Sequence, residues 1–453
     1  MKAVRYMVSA GALALLAAGA VFASEAAPQA QASRPFTPQP APATAAVTTS
    51  PLPTTQALFD SYVATNKMPG IVGAFGYGNQ PTVFVSAGKI GDEAAAAKAG
   101  PDSLWRVYSM TKPITGMAAM ILIEDGKMSL DQPVSDFIPA FRNMKVLIGP
   151  DSLDSRPATR PITIRNLLTH TAGLGYTIIT RGALLKEYER LGLTPGVISA
   201  AMEEQARKVR PTTLEEFANR TASAPLIADP GTVWSYSIGL DVMGRVIEVA
   251  SGMSFDAFVQ KRIFGPLKMT SSYWTVPQSE VGRFASNYMI IGDSRTPLDS
   301  AASSIWLKPP SFPYGGAGLV MSARDYDRFL HMLQNYGELD GVRVMKPATA
   351  KLGMSNLLPA GVFYRGVAAT TGGTTAPAPS GFGAGGSVTI ADTPGGAAKG
   401  TYGWGGAAGT VAFVDPVHRV RGTVMVNYFP GEKWPLRTEA VAAFRTDMER
   451  KRP

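Results

Sequence analysis

Strand-like patterns stand at the two ends of this 453-residue sequence, and helical patterns fill the stretch between them. The runs GIVGAFGYG (70–78) and PTVFVSAGKIG (81–91) flank a Gly-Asn turn, which reads as a strand pair. FGAGGSVTIAD (382–392), TYGWGGAAGTVAFVDP (401–416) and VRGTVMVNYF (420–429) read as three more strands. Helical spacing precedes the first pair in TQALFDSYVATNKMPG, stopped by Pro69-Gly70, and follows the last strand in LRTEAVAAFRTDMERK. It recurs in ITIRNLLTHTAGL, across 181–222, and in YSIGLDVMGRVIEVASG, SFDAFVQKRIFGPLKM and SARDYDRFLHMLQNYG. A Gly/Thr/Ala/Pro stretch from Ala368 to Ser380 reads as a loop. This order predicts an α/β chain of the α+β kind. An antiparallel sheet is built from both ends and flanked by helices, and a mainly helical second lobe at roughly 130–300 is inserted in it. A cleft between the lobes is the expected place for a site.

The ordered domain is expected over 56–453. Before it, MKAVRYMVSAGALALLAAGAVFAS sets Lys2 and Arg5 ahead of an apolar run and small residues at Val21 and Ala23. That is the layout of a signal peptide (1–23) cleaved after Ala23, and it predicts export to the periplasm or medium. Residues 24–55, rich in Ala, Pro, Thr and Gln, read as a flexible linker. No later stretch is long and apolar enough to span a bilayer. There is no cysteine, which removes disulfides, thiolate metal sites and a Cys nucleophile. Three histidines, His170, His331 and His418, are too few and too scattered for a metal cluster. The net charge of +9 comes from dispersed residues, without the basic–aromatic stripe of a nucleic-acid binder. No phosphate-loop pattern occurs, and the chemistry argued next requires no metal or cofactor.

In RVYSMTKPITGMAAMILIEDGK, Ser109 and Lys112 stand three residues apart at the head of an apolar helical run. If the helix begins at Ser109, both side chains share one face, beside unpaired N–H groups and the positive end of the helix dipole. A serine hydroxyl needs a base to become a nucleophile, and burial against ITGMAAMILI disfavours an ammonium on Lys112. In isolation the pattern is weak, and an N-cap serine beside a solvated lysine is its ordinary reading. Tyr236, in the turn before a helix in PGTVWSYSIGLDVMG, is a candidate proton shuttle or a packing residue. Trp404-Gly405-Gly406 interrupts a strand-like run, and an edge strand there would offer the N–H of Ala407 to a substrate carbonyl oxygen.

Taken together, SMTK (109–112), WSYS with Tyr236, and WGG (404–406) resemble the serine β-lactamase superfamily, and family VIII carboxylesterases most closely. LLTHTAGL (167–174) and GGAGLVMSARDYDRF (315–329) resemble that family's framework. The resemblance covers about Gln56 to the C-terminus. It implies a β-lactamase-like fold, Ser109 as acylated nucleophile, and Lys112 and Tyr236 as the proton-handling pair. Ser109 and Ala407 would supply the oxyanion N–H groups, with Trp404, Gly405 and Gly406 lining the cleft.

Two departures bear on the substrate. Ile238 stands where such β-lactamases carry an asparagine, and Trp-Gly-Gly stands in place of Lys-Thr-Gly. Both make the site more apolar and point to small uncharged esters, with a class C β-lactamase or DD-peptidase as the alternative. A penicillin-recognising module without turnover is the alternative of another class. A Gly-x-Ser-x-Gly hydrolase lacks its pentad here, and a triad through His418 would need a residue that reads as part of a hairpin turn. Trp404, Tyr314, Trp306 and Phe312 are candidates for an aromatic acyl or alcohol pocket. No pattern in the sequence specifies an oligomeric state.

Overall fold

The computed structural model describes residues 50–194, 196–364, 366–367, 380–392 and 397–450. The signal-peptide reading and nearly all of the linker fall outside them, as does the 368–379 part of the expected loop.

Helix α1 (Pro53–Ala64) starts with proline at its first turn, where the missing N–H costs nothing. The chain then forms strands β1 (Gly70–Tyr77) and β2 (Val83–Gly88). Helix α2 (Thr111–Glu124) is buried from Thr111 through Leu122, as expected for a helix apolar on every side. Helices α3 (Ile164–Leu168), α4 (Gly182–Arg190), α5 (Ala200–Ala206), α6 (Leu214–Ser223), α7 (Gly239–Ser251) and α8 (Phe255–Val259) follow. After them come α9 (Ala323–Gln334) and α10 (Pro347–Gly353). Strands β3 (Ser380–Phe382), β4 (Ser387–Thr389), β5 (Tyr402–Gly405), β6 (Val411–Asp415) and β7 (Val420–Met425) then lead to the final helix α11 (Leu436–Glu449).

The strands assemble in the order β3-β4-β5-β6-β7-β1-β2, with every neighbour antiparallel. The pairing of β1 with β7 (Val72 opposite Met425) joins the two ends of the chain. Alternation along β1 then sorts its side chains between two cores. Ile71 and Phe75 pack with α1 and α11, where Phe75 stacks on Phe444 at 4.7 Å. Val72 and Ala74 face the larger core that contains α2, α7 and α9.

Two expectations need correction. The runs 382–392 and 401–416 are hairpins rather than single strands, because their glycine clusters turn the chain: Gly383–Gly386 separates β3 from β4, and the 406–410 turn separates β5 from β6. The strand carrying Trp404 is therefore interior, between β4 and β6, not an edge. The inserted middle is also less purely helical than expected: Asn287–Ile291 and Ser294–Asp299 pair as a hairpin, and Tyr428–Phe429 adds to it in parallel.

Candidate active site

Ser109 follows the short strand Leu104–Arg106 and lies in a 3-10 turn (Tyr108–Met110) that runs into α2. The α-helix therefore begins at Thr111, two residues later than expected. The juxtaposition survives, because residues three apart eclipse one another in a 3-10 turn. Tyr108 has φ +43°, rare for a bulky residue. It is held there by a bond from Asn287 Nδ2 to its hydroxyl (3.1 Å) and by edge-on contacts with Trp306 (5.9 Å) and Phe429 (5.4 Å). The residue presenting Ser109 is thus braced from three elements. No side chain caps α2, so the Ser109 hydroxyl is not spent on a cap.

Lys112 is wholly buried. Its Nζ donates to the Gly316 carbonyl (2.8 Å) and to Ser109 Oγ (3.3 Å), and lies 4.6 Å from the Tyr236 ring and 5.4 Å from the Tyr176 ring. The solvated-lysine reading is thereby removed. The segment 315–319 reaches Lys112 because it runs along α2 and its approach. Val107 N–H donates to the Leu319 carbonyl, Leu319 N–H to Thr111 Oγ1, and Thr115 Oγ1 to the Gly315 carbonyl. Asp241, also buried, accepts from the Gly316 N–H at 2.8 Å. Gly316 is gripped from both sides, by an acid and by the lysine. Burial pushes the Asp241 carboxyl upward, and the charge of Lys112 pulls in the other direction.

The Tyr236 hydroxyl stands 2.8 Å from Ser109 Oγ. Trp404 Nε1 donates to the same Tyr236 oxygen at 3.3 Å, so motifs from three distant parts of the chain converge on one hydroxyl. Ile238 is fully buried at the start of α7. Gly405 ends β5; Gly406 and Ala407 enter the turn, whose own bonds run from Gly406 N–H to Thr410 and from Gly409 N–H to Gly406. Among the described residues, the Ala407 N–H has no acceptor. A Cβ on Gly406 would fall 2.3 Å from the Val107 carbonyl oxygen, and only glycine allows this turn to sit against the chain two residues before Ser109.

The four candidate pocket aromatics do not gather in one place. Trp404 belongs to the site, and Trp306 packs behind Tyr108. Phe312 and Tyr314 contact each other, with Phe217 and Arg210 behind them in the helical region. His418 sits in the β6–β7 turn, bonded to Asp415 at 2.8 Å, and His331 lies on α9.

The sequence reading gave His170 no part in the site and did not single out Asp241. His170 is buried, has φ +56°, and its ring centroid lies 4.8 Å from that of Tyr236. Burial, and secondarily the charge of Lys112, hold its imidazole well below the ordinary 6.5, so it is neutral. Tyr176 is held as a neutral phenol, chiefly by burial. Among the described residues no cluster of His, Asp or Glu could hold a metal ion, and no helix is long and apolar enough to cross a membrane.

The family model described as Beta-lactamase matches residues 55–445. An uncharacterized protein of Mycobacterium tuberculosis is 35% identical over 257 residues, covering 55% of this chain and 59% of that protein. The chain thus spans less than two thirds of that relative. The esterase EstB of Burkholderia gladioli is 31% identical over 293 residues, covering 61% of this chain and 69% of the esterase. Among solved structures, EstCE1, described as a hydrolase with promiscuous acyltransferase activity, aligns with a TM-score of 0.68 at 26% identity. That alignment covers 86% of this chain and 97% of EstCE1.

Proposed function

The chain belongs to the beta-lactamase family, and on that premise we propose that it is a serine carboxylesterase acting on small uncharged esters. The observation that carries the proposal is the double contact at one oxygen: Ser109 Oγ has Lys112 Nζ at 3.3 Å and Tyr236 Oη at 2.8 Å. Ser109 attacks the ester carbonyl carbon and its proton passes to the Lys112/Tyr236 pair. The oxyanion is met by the N–H groups of Ser109 and Ala407. The alcohol leaves with a proton from the same pair; water, deprotonated by that pair, then attacks the acyl-serine, and the proton returns to Ser109 Oγ as the acid departs. Esters are favoured over β-lactam carboxylates because Trp404 and Ile238 occupy the positions at which a cation and an amide would bind them. The esterase name of the Burkholderia gladioli relative agrees with this choice.

The test is to trap the acyl-enzyme. After brief mixing with p-nitrophenyl acetate and acid quench, one acetyl group should be found on the peptide containing Ser109, and Ser109→Ala should remain unmodified. Lys112→Ala or Tyr236→Phe should lower kcat by about 10²-fold or more, as expected for groups that act as a unit with the nucleophile. Full turnover in either variant, with folding intact, would remove that residue from the mechanism. We also read the chain as exported; the protein recovered outside the cytoplasm should then begin at Ser24, and an intact Met1 on it would refute cleavage.

A further inference from the structure

We propose that His170 is the positioning residue for Tyr236: a neutral imidazole that, with its own carbonyl, bonds the residues on either side of that tyrosine and fixes the phenol over Ser109. The inference rests on the reading of Tyr236 as part of the proton-handling pair. On one flank, the Ser235 N–H donates to the His170 carbonyl at 2.9 Å. On the other, the Ser237 N–H donates to His170 Nδ1 at 3.2 Å, and Ser237 Oγ lies 2.9 Å from the same nitrogen. Tyr236 is therefore suspended between two residues that both hang on His170.

These bonds also fix the tautomer. A backbone N–H can only donate, so Nδ1 carries no hydrogen and the proton is on Nε2. The Ser237 hydroxyl accepts from the Gly239 N–H at 3.3 Å and so turns its own hydrogen toward Nδ1. Nε2 is buried with no hydrogen-bond partner among the described residues. Around the ring stand Tyr236, Phe382 (5.3 Å) and Trp234 (5.8 Å), all in edge-to-face orientation. A buried polar atom without a protein partner in an aromatic shell is a cost that a purely structural position would shed by substitution to an apolar residue. What it secures here is an acceptor at one defined point, facing the Ser237 N–H.

His170 is itself rigidly delivered. Helix α3 is opened by a capping box between Thr163 and Asn166. Past its end, Asn166 Nδ2 donates to Thr171 Oγ1 (3.0 Å), which also bonds Thr169 Oγ1 (2.9 Å). The two threonines flanking His170 are thus tied together while His170 takes the left-handed conformation that aims its ring and carbonyl at 235–237. This accounts for LLTHTAGL in terms of the site.

The experiment uses a double-mutant cycle and the wild-type ring spectrum. His170→Gly keeps the left-handed backbone and removes the acceptor, while His170→Asn tolerates that conformation and returns an oxygen close to the place of Nδ1. With p-nitrophenyl butyrate, His170→Gly should lower kcat by about tenfold or more with KM nearly unchanged, and His170→Asn should recover most of the loss. In a Tyr236→Phe background, His170→Gly should cost almost nothing further, because its effect runs through that tyrosine. Additive losses, or a wild-type kcat in His170→Gly, would overturn the proposal while leaving Tyr236 in the mechanism. Full turnover in Tyr236→Phe would instead remove the relay and this inference with it. A variant that fails to fold leaves the spectrum: in long-range 15N–1H correlation of the wild type, the ring identified as His170 by its contacts with the Tyr236 and Trp234 rings should be neutral and protonated on Nε2. If that ring carries its proton on Nδ1 instead, the assignment is wrong.

Discussion

Trp404 brings one polar atom to the site, the indole N–H that reaches Tyr236 Oη at 3.3 Å. Trp404→Phe keeps most of the aromatic wall and deletes only that donor. The expected loss is about 0.5–1.5 kcal/mol, or roughly twofold to tenfold in kcat, measured with p-nitrophenyl butyrate. An unchanged kcat would make Trp404 a wall and nothing more. Ser109 and Lys112 were legible as a pair in the sequence because their relation is local, three residues along one turn. Tyr236 and Trp404 became legible only through the joint resemblance of separate motifs. His170 was not legible in this role: its contacts lie 67 residues away, and nothing in ITIRNLLTHTAGL states which loop its ring will face. Asp241 was hidden for a related reason, since its partner is the backbone of Gly316, and a backbone partner leaves no mark in a side-chain pattern.

The turn between β5 and β6 is the element on which the third motif depends. Gly406 packs against the Val107 carbonyl, and Arg437 on α11 holds the turn from behind through bonds to the carbonyls of Gly406 and Thr410. Gly406→Ala forces a Cβ into backbone that cannot yield without moving Ser109 or Ala407. Loss of one oxyanion donor typically costs ~2.7–4 kcal/mol, so kcat should fall by about 10²–10³-fold in a protein that still folds. Near-wild-type kcat in Gly406→Ala would argue against an oxyanion role for this turn. The helices were easier to read than these strands. Continuous burial of α2 writes itself as an unbroken apolar run, whereas β3 to β6 are three to five residues long with glycines between them. Glycine signals a bend without saying whether it is a bulge within one strand or a turn between two, and that ambiguity placed Trp404 on an edge strand.

At the scale of the whole molecule, the ends of the chain close on each other. Asp447 of α11 accepts from the N–H groups of Thr54 (2.8 Å) and Thr55 (2.9 Å) and from Thr55 Oγ1 (2.8 Å), capping α1, which has no cap of its own. Asp447→Ala should destabilise the fold by about 1–3 kcal/mol, readable as a lower denaturation midpoint with kcat little changed. An unaltered midpoint would contradict it. Histidine burial gives stability a pH dependence. His331 is lowered to about 4, first by burial and then by Arg421. A depressed folded pKa means that the unfolded chain binds more protons below 6.5, so this group withdraws stability as pH falls from 6.5 toward 4. His331→Gln should flatten the melting-temperature profile in that window relative to wild type, and an identical slope would show that His331 does not titrate as described. The central claim is that this site is built for esters, and it is tested most directly by turnover of p-nitrophenyl acetate and butyrate beside nitrocefin, with Ser109→Ala as control. Fast ester hydrolysis that disappears in Ser109→Ala, with little or no nitrocefin cleavage, is the predicted result. Nitrocefin turnover matching that of the esters would contradict it.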